Sequence, residues 1–375
     1  MMNSIIPVEH GNVLAAVRRF LRRLLESKAV DALYVALESD GGAVVPALVT
    51  DPTRLDAANP LAPIMPINGA RAVSALTGRH APARIGAVLR SCEIRALIEL
   101  VKLQQATLEN TLLIGVDCPG TFEVAEFTER GAWSDGRLAE YLAAAREGRD
   151  PSFDGLALRP ACQMCVQPIP DQTDIHVHLF GANSENGIPV TVKDEIAVKL
   201  EMTESADPDT AGRHQVFERL LAARSQVRER EMAAMRARLA SDGGMAGLFA
   251  ACVRCHNCMT ACPICYCKTC LFKTAAFDHA PEHYVTAARR KGAVRMLPDT
   301  LLFHLTRLNH MSASCVSCGM CASACPSKIP VGTIFSAVGS QVQAAFNYAP
   351  GRNVDEPLPL ITFQTNEWTE IGEER

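Results

Sequence analysis

At 375 residues, 48% hydrophobic and 21% charged, the chain has the make-up of a packed globular protein with room for two or three cores, which excludes long disordered stretches. With 37 Lys and Arg against 41 Asp and Glu the net charge is −4, so no general field draws it to nucleic acid or to an anionic membrane. The opening MMNSIIPVEHGNVLAAVRRF lacks the apolar core and cleavage site of a signal peptide, and no run is apolar for the thickness of a bilayer, so a cytoplasmic chain without a transmembrane segment is expected.

In residues 11–28, Val13, Leu14, Val17, Phe20, Leu21, Leu24 and Leu25 recur at helical spacing with arginines opposite, which predicts an amphipathic helix. Short β-rich runs follow at 32–37 and 43–49. RIGAVLRSCEIRALIELVKLQQATLENTLLIGVDCPG then reads strand 85–89, helix 93–104 and strand 112–116, a βαβ unit that implies parallel pairing under a covering helix. Residues 173–179 alternate polar and apolar as a strand does. Between about 212 and 239 comes a long Arg/Glu/Ala/Met helix whose heavy charge suggests a solvated connector. A tail from 349 carries two aromatic anchors, Phe363 and Trp368, and reads as a partly ordered terminus or a docking segment.

Most of the fifteen cysteines lie at tight spacing, which in a chain without an export signal favours metal ligation over disulfides. Two C-x2-C-x2-C-x3-C-P runs occur, Cys252-Cys255-Cys258-Cys262-Pro263 and Cys315-Cys318-Cys321-Cys325-Pro326. A [4Fe-4S] cubane needs four thiolates, and two-residue gaps let a tight turn present three of them to one face. In two-cluster ferredoxin modules the cysteine before proline ligates the other cluster. This assigns Cys252, Cys255, Cys258 and Cys325 to one cluster, and Cys315, Cys318, Cys321 and Cys262 to a second. Structural zinc also uses C-x2-C pairs, but it has no use for a third cysteine two residues on and a fourth before proline. Cys265, Cys267 and Cys270 in PICYCKTC are extra, and read as buried small hydrophobes, a labile redox pair or ligands to a further cluster.

The long, helical insert between the runs resembles the α-helical ferredoxins of succinate dehydrogenase iron-sulfur subunits and heterodisulfide reductase. The expected fold class is therefore α/β: an N-terminal α/β domain with a mixed or parallel sheet at 1–211, a helical connector at 212–243, a mostly α-helical two-cluster ferredoxin domain at 244–348 and a tail at 349–375.

Cys92 and Cys118 follow the two strands of the βαβ unit, at the carboxyl edge where open α/β sheets bind ligands, and Cys92 opens a helix whose positive end favours a thiolate. The pair Cys162 and Cys165 in PACQMC could complete a four-thiolate set. Core packing is an equal reading of Cys92 and Cys118 from spacing alone. Arg84, Arg90 and Arg95 flank this loop, as counter-charges or as surface residues. His176 and His178 share a strand face with Asp174, which reads as a polar face lining a site or solvent.

LRSCEIRALIELVKLQQATLENTLLIGVDCPGTFE, RPACQMCVQPIPDQTDIHV and CVRCHNCMTACPICYCKTC together resemble the beta subunits of formate dehydrogenases and hydrogenases that depend on the deazaflavin coenzyme F-420, over residues 83–330. The resemblance implies a third [4Fe-4S] cluster on Cys92, Cys118, Cys162 and Cys165 beside an FAD. It also implies partners such as a formate dehydrogenase catalytic subunit, hydrogenase subunits or heterodisulfide-reductase-type proteins. No G-x-G-x-x-G fingerprint accompanies it, and DIHVHLFGANSENG sets His176 and His178 where a glycine-rich approach to a flavin would be expected. The expected role is a subunit that passes electrons between a catalytic subunit and an acceptor; a scaffold subunit stapled by its clusters is the alternative.

Overall fold

The computed structural model describes residues 1–39, 43–78, 83–130, 134–153, 155–205, 210–294, 296–297 and 299–359. The tail anchors Phe363 and Trp368 lie outside the described residues. The chain divides into two compact units, Met1–Glu229 and Arg230–Arg375.

The first unit is built on a mixed seven-stranded sheet. Its strands are β1 (Met2–Pro7), β2 (Ala32–Glu38), β3 (Val44–Val49), β4 (Ile85–Arg90), β5 (Thr111–Val116), β6 (Ile175–Val177) and β7 (Gly187–Val192), in the order β1-β7-β6-β5-β4-β2-β3. The centre, β2, β4, β5 and β6, is parallel; β3 on one flank and β7 and β1 on the other are antiparallel. The central strands are apolar on both faces, as parallel strands buried between covering layers must be.

The expected first helix is present as α1 (Val13–Glu26). Asn12 caps it by accepting from the Ala15 amide at 2.9 Å, and its stripe Val13, Val17, Phe20, Leu21 and Leu24 is buried against the sheet. α2 (Gly69–Thr77) precedes the βαβ helix α3 (Ser91–Lys102), which the structure starts two residues earlier than the sequence suggested. There the Glu93 carboxylate turns back to the Arg90 amide at 2.9 Å, a capping contact that fixes the helix start beside Cys92. Then come α4 (Val124–Glu129), α5 (Asp135–Glu147), the single turn α6 (Pro160–Gln163) and α7 (Asp194–Lys199).

α8 (Thr210–Leu239) spans the division between the units. Its heavily charged surface is mostly exposed or half-buried, with a few residues buried in each unit. Leu220 and Arg224 are 1% and 2% exposed in the first unit, and Met232 and Met235 are buried in the second. Small and polar residues around them hide this stripe from a hydrophobic count.

The second unit is helical among the described residues: α9 (Gly244–Phe249), α10 (Asn257–Thr260), α11 (Pro281–Lys291), α12 (Thr300–Met311), α13 (Met320–Ser323) and α14 (Val331–Ala345). Its small core includes Phe249, Ile264, Phe303, Ile334 and Phe335, with the cysteine runs woven through it.

Candidate functional site

The two cysteine runs fold alike. Arg254 and His256 bracket Cys255 with φ of 53° and 59°, and Ser317 and Gly319 bracket Cys318 with φ of 58° and 74°. Three of these four residues carry a Cβ and accept the cost of the left-handed region. What the alternation achieves is a concave nest of backbone N–H groups, the kind that faces phosphates and iron-sulfur clusters. One helical turn follows each: Met259 N–H donates to His256 O at 2.9 Å, and Ala322 N–H to Gly319 O at 2.9 Å. The turns deliver Cys258 and Cys321 on their second residues, and Cys262 and Cys325 just beyond their ends.

The thiols gather across the runs. Burial, and then the charges of Arg307 and of Cys252, Cys325 and Cys255, act on the Cys258 thiol, which is pushed up to about 11. Cys321 is raised by burial, then by Cys262, Cys318 and Cys315. Cys262, Cys315, Cys318 and Cys321 also line one common cavity. Free thiols crowded this way resist ionising together, so four thiolates at either place require a positive partner. Zinc sulfur sites, with Zn–S near 2.3 Å, hold their thiolates about 3.8 Å apart. Among the described residues the ligand atoms of just one trio, Asp117, His176 and His178, lie within 4.8 Å of one another, so neither cysteine set has zinc spacing. The donor type and the nests fit an iron-sulfur cluster at each place.

Cys265, Cys267 and Cys270 are not the fully buried hydrophobes that one reading made them. Cys267 is exposed and the other two are partly so. The Cys265 thiol is raised by burial and by Cys262, Cys267 and Cys270, and Cys270 Sγ lies 3.8 Å from Met259 Sδ.

In the first unit the structure brings Cys92, Cys118, Cys162 and Cys165 toward one region at the carboxyl edge of β4 and β5. Arg90 feels the charges of Glu93, Cys118, Tyr141 and Cys92. Burial, outweighing Arg90 and helped by Cys162 and Cys165, pushes the Cys118 thiol up to about 11. Cys162 goes the other way: burial raises it, but Arg159, Thr121 and Arg224 outweigh burial and hold it below the ordinary thiol value. Thr121 N–H donates to Cys162 Sγ at 3.4 Å, Arg159 Nη2 to the same sulfur at 3.6 Å, and Arg159 Nε to Thr121 Oγ1 at 2.8 Å. The loop between holds its shape through Gly120, at φ 122°, whose carbonyl accepts from Tyr141 at 3.0 Å. All four cysteines are half-buried, Cys162 against the cluster of Phe122, Phe127 and Phe153.

Of the three arginines flanking Cys92, Arg90 and Arg95 are the inward ones. Arg90 Nη2 donates to Ala62 O at 2.6 Å and Ile64 O at 3.1 Å, whereas Arg84 is half-buried and pairs with the exposed Glu195 at 3.7 Å. Sequence reasoning missed Arg159 and Arg224. Arg159 stands three residues before Cys162, a spacing that could have signalled it; Arg224 is too distant in the chain to carry a local signal.

His176 and His178 pair differently from expectation. Asp174 accepts from the Leu113 amide at 2.6 Å, and the carboxylate beside the histidines is Asp117. His176 Nε2 sits 2.7 Å from Asp117 Oδ1, and the two imidazole rings are 4.0 Å apart. His178 and Asp117 line a cavity of about 260 Å³ together with Arg213, Phe180 and Phe217.

Among the described residues no helix is long and apolar enough to cross a membrane. Residues 248–329 match the family of 4Fe-4S dicluster domains. The chain is 24% identical to the F420-dependent formate dehydrogenase subunit beta of Methanocaldococcus jannaschii, over 92% of this chain and 93% of that protein. It is 23% identical to the F420-dependent formate dehydrogenase 1 subunit beta of Methanococcus maripaludis, over 74% and 75%. A chain of the F420-reducing [NiFe] hydrogenase complex from Methanosarcina barkeri aligns at a TM-score of 0.43 and 11% identity, covering 62% of this chain and 93% of that one. By its cysteine architecture and this end-to-end similarity, the chain is an iron-sulfur protein related to the beta subunits of F420-dependent formate dehydrogenases.

Proposed function

We propose that the chain is an iron-sulfur electron-transfer subunit of a formate-dehydrogenase-type redox complex, carrying electrons between a catalytic subunit and an acceptor. The observation that carries this reading is the pairing of thiols across the two matching runs, Cys325 with Cys252, Cys255 and Cys258, and Cys262 with Cys315, Cys318 and Cys321. We assign these as the ligand sets of two [4Fe-4S] clusters within a ferredoxin domain at 244–348. Each bound cluster supplies reversible one-electron storage. The chain's own residues supply the thiolates, the N–H nests that face them, and enclosure in a small apolar core.

A third [4Fe-4S] cluster on Cys92, Cys118, Cys162 and Cys165 is supported by their convergence and by the cations Arg90, Arg159 and Arg224 around them. An FAD next to that set rests on the family resemblance of the sequence alone, and F420 as the exchanging partner on the names of the relatives. The proposed partners are a formate dehydrogenase catalytic subunit or, within the same family, hydrogenase or heterodisulfide-reductase-type subunits.

Anaerobic purification with iron and sulfide analysis tests the proposal. About eight irons per chain match two clusters and about twelve match three, and fewer than eight defeats the assignment. Flavin fluorescence after denaturation decides the FAD independently.

A further inference from the structure

α12 is built the wrong way round for a covering helix. Its buried stripe is Thr300, Phe303, His304, Arg307, Leu308 and Met311, while Leu302 and Leu305 are 50% and 48% exposed. A helix that only covers a core turns its leucines in and leaves guanidinium and imidazole to water. A guanidinium 3% exposed is strongly disfavoured unless opposite charge meets it.

Sulfur meets it here. Arg307 Nη1 donates to Cys258 Sγ at 3.1 Å and Nη2 donates to the Cys258 carbonyl at 3.1 Å. The charges acting on Arg307 are, in falling order, Cys258, Cys262, Cys321 and Cys265. The rings of Phe335 and Phe303 flank the guanidinium at 5.0 and 5.5 Å and keep water from it. One turn back on the same face, His304 Nε2 lies 3.4 Å from Cys252 Sγ, with its ring stacked on Phe249 at 3.7 Å. Two thiols of the first run thus receive nitrogen atoms from one helix, and both belong to the same proposed ligand set.

We propose that Arg307, aided by His304, orders the two clusters by potential, making the one on Cys252, Cys255, Cys258 and Cys325 the more readily reduced. This rests on the two-cluster reading above. Reduction adds one electron to a cluster, with no bond made or broken and no proton taken up by Arg307, which stays protonated throughout. A fixed positive charge and N–H···S bonds stabilise the added negative charge and so raise the potential. Arg307 also lines the cavity shared by Cys262, Cys315, Cys318 and Cys321 and feels the charges of Cys262 and Cys321, but its hydrogen bonds to a cysteine both go to Cys258 of the first set. Arg307 is therefore a positioning residue that sets where an arriving electron rests.

The test is a reductive titration of the full chain with dithionite, followed by EPR, on the unaltered protein and on R307Q, R307K and H304F. The signals that vanish in C252S and in C315S identify the two ferredoxin clusters, and in R307Q the higher of their two midpoint potentials falls until the reduced-to-oxidised ratio at a fixed poise drops at least tenfold, equal to 59 mV for one electron. The lower midpoint shifts less, so the gap narrows. R307K recovers part of the fall, and H304F gives a smaller fall in the same signal. An R307Q protein with full iron content and an unmoved higher midpoint overturns the inference, as does a larger shift in the lower one. Should R307Q lose iron, R307K decides: a partial fall supports the inference and an unmoved midpoint overturns it. Fewer than eight irons in the unaltered chain sinks the two-cluster reading itself, a failure that metal analysis separates from an unmoved potential.

Discussion

Arg224 and Asp150 form an ion pair at 2.8 Å in which the guanidinium is 2% exposed and the carboxylate 41% exposed. The same guanidinium donates to the Pro119 carbonyl, in the loop just after Cys118. One residue of the long charged helix therefore ties down the loop that carries a proposed cluster ligand. Replacing it with methionine keeps much of the volume and removes the donors. R224M should cost about 2 kcal/mol locally, roughly thirtyfold in opening of residues 117–121. Hydrogen exchange read by mass spectrometry checks this, and unchanged protection of that loop would count against the tie.

The crossed ligation makes a sharper statement about iron. C252S and C325S alter residues far apart in the chain that the proposed assignment puts on one cluster, so each should remove about four irons and the double variant no more than either alone. C252S combined with C315S should remove about eight. If instead C325S mimics C315S in EPR and iron content, each run holds its own cluster and the assignment is wrong.

Asp117 links β5 to the chain leaving β6. Its Oδ1 meets His176 and its Oδ2 accepts from the amides of Leu179 at 2.8 Å and Phe180 at 3.1 Å. D117A strands these donors in a buried place and should destabilise the chain by about 3 kcal/mol, while D117N keeps an acceptor and should cost less than half of that. The urea midpoint by circular dichroism orders the three proteins, and equal midpoints for D117A and D117N would contradict it.

Glu140 grips Arg149 at both oxygens, at 2.6 and 3.0 Å, and that hydrogen bonding holds its carboxyl below the ordinary 4.5. A depressed folded value means that the pair stabilises the fold fully above the unfolded value and loses this as pH falls through the lowered one. E140Q should be less stable than the unaltered chain near neutrality, by under about 1 kcal/mol because the pair is largely exposed, and the difference should vanish well below pH 4.5. Urea midpoints across that range read it directly.

The sequence carried the parts of the fold whose periodicity is local. The 3.6-residue recurrence from Val13 to Leu25 and the βαβ run around Cys92 name their elements within a residue or two. β1 and β7 escaped because their pairing joins Met2 to Val192, a partnership no window contains. Ligand spacing made the cysteine runs legible, since geometry at a cluster is a local demand on the chain. The cations were not legible. Arg159, Arg224, His304 and Arg307 look like ordinary polar residues of helices and turns until the fold buries them against sulfur, and burial depends on the tertiary structure.

The matching left-handed loops of the two runs bear on how the chain matures. Under crossed ligation, whichever cluster enters first must clasp both runs, closing the helical insert between them into a loop. The loop-closure entropy is then spent, and the remaining four thiols already stand in register for their own cluster. When iron is scarce, loading of the unaltered chain should therefore favour subunits carrying both clusters or neither, whereas with iron in excess a variant lacking one ligand set still loads the other.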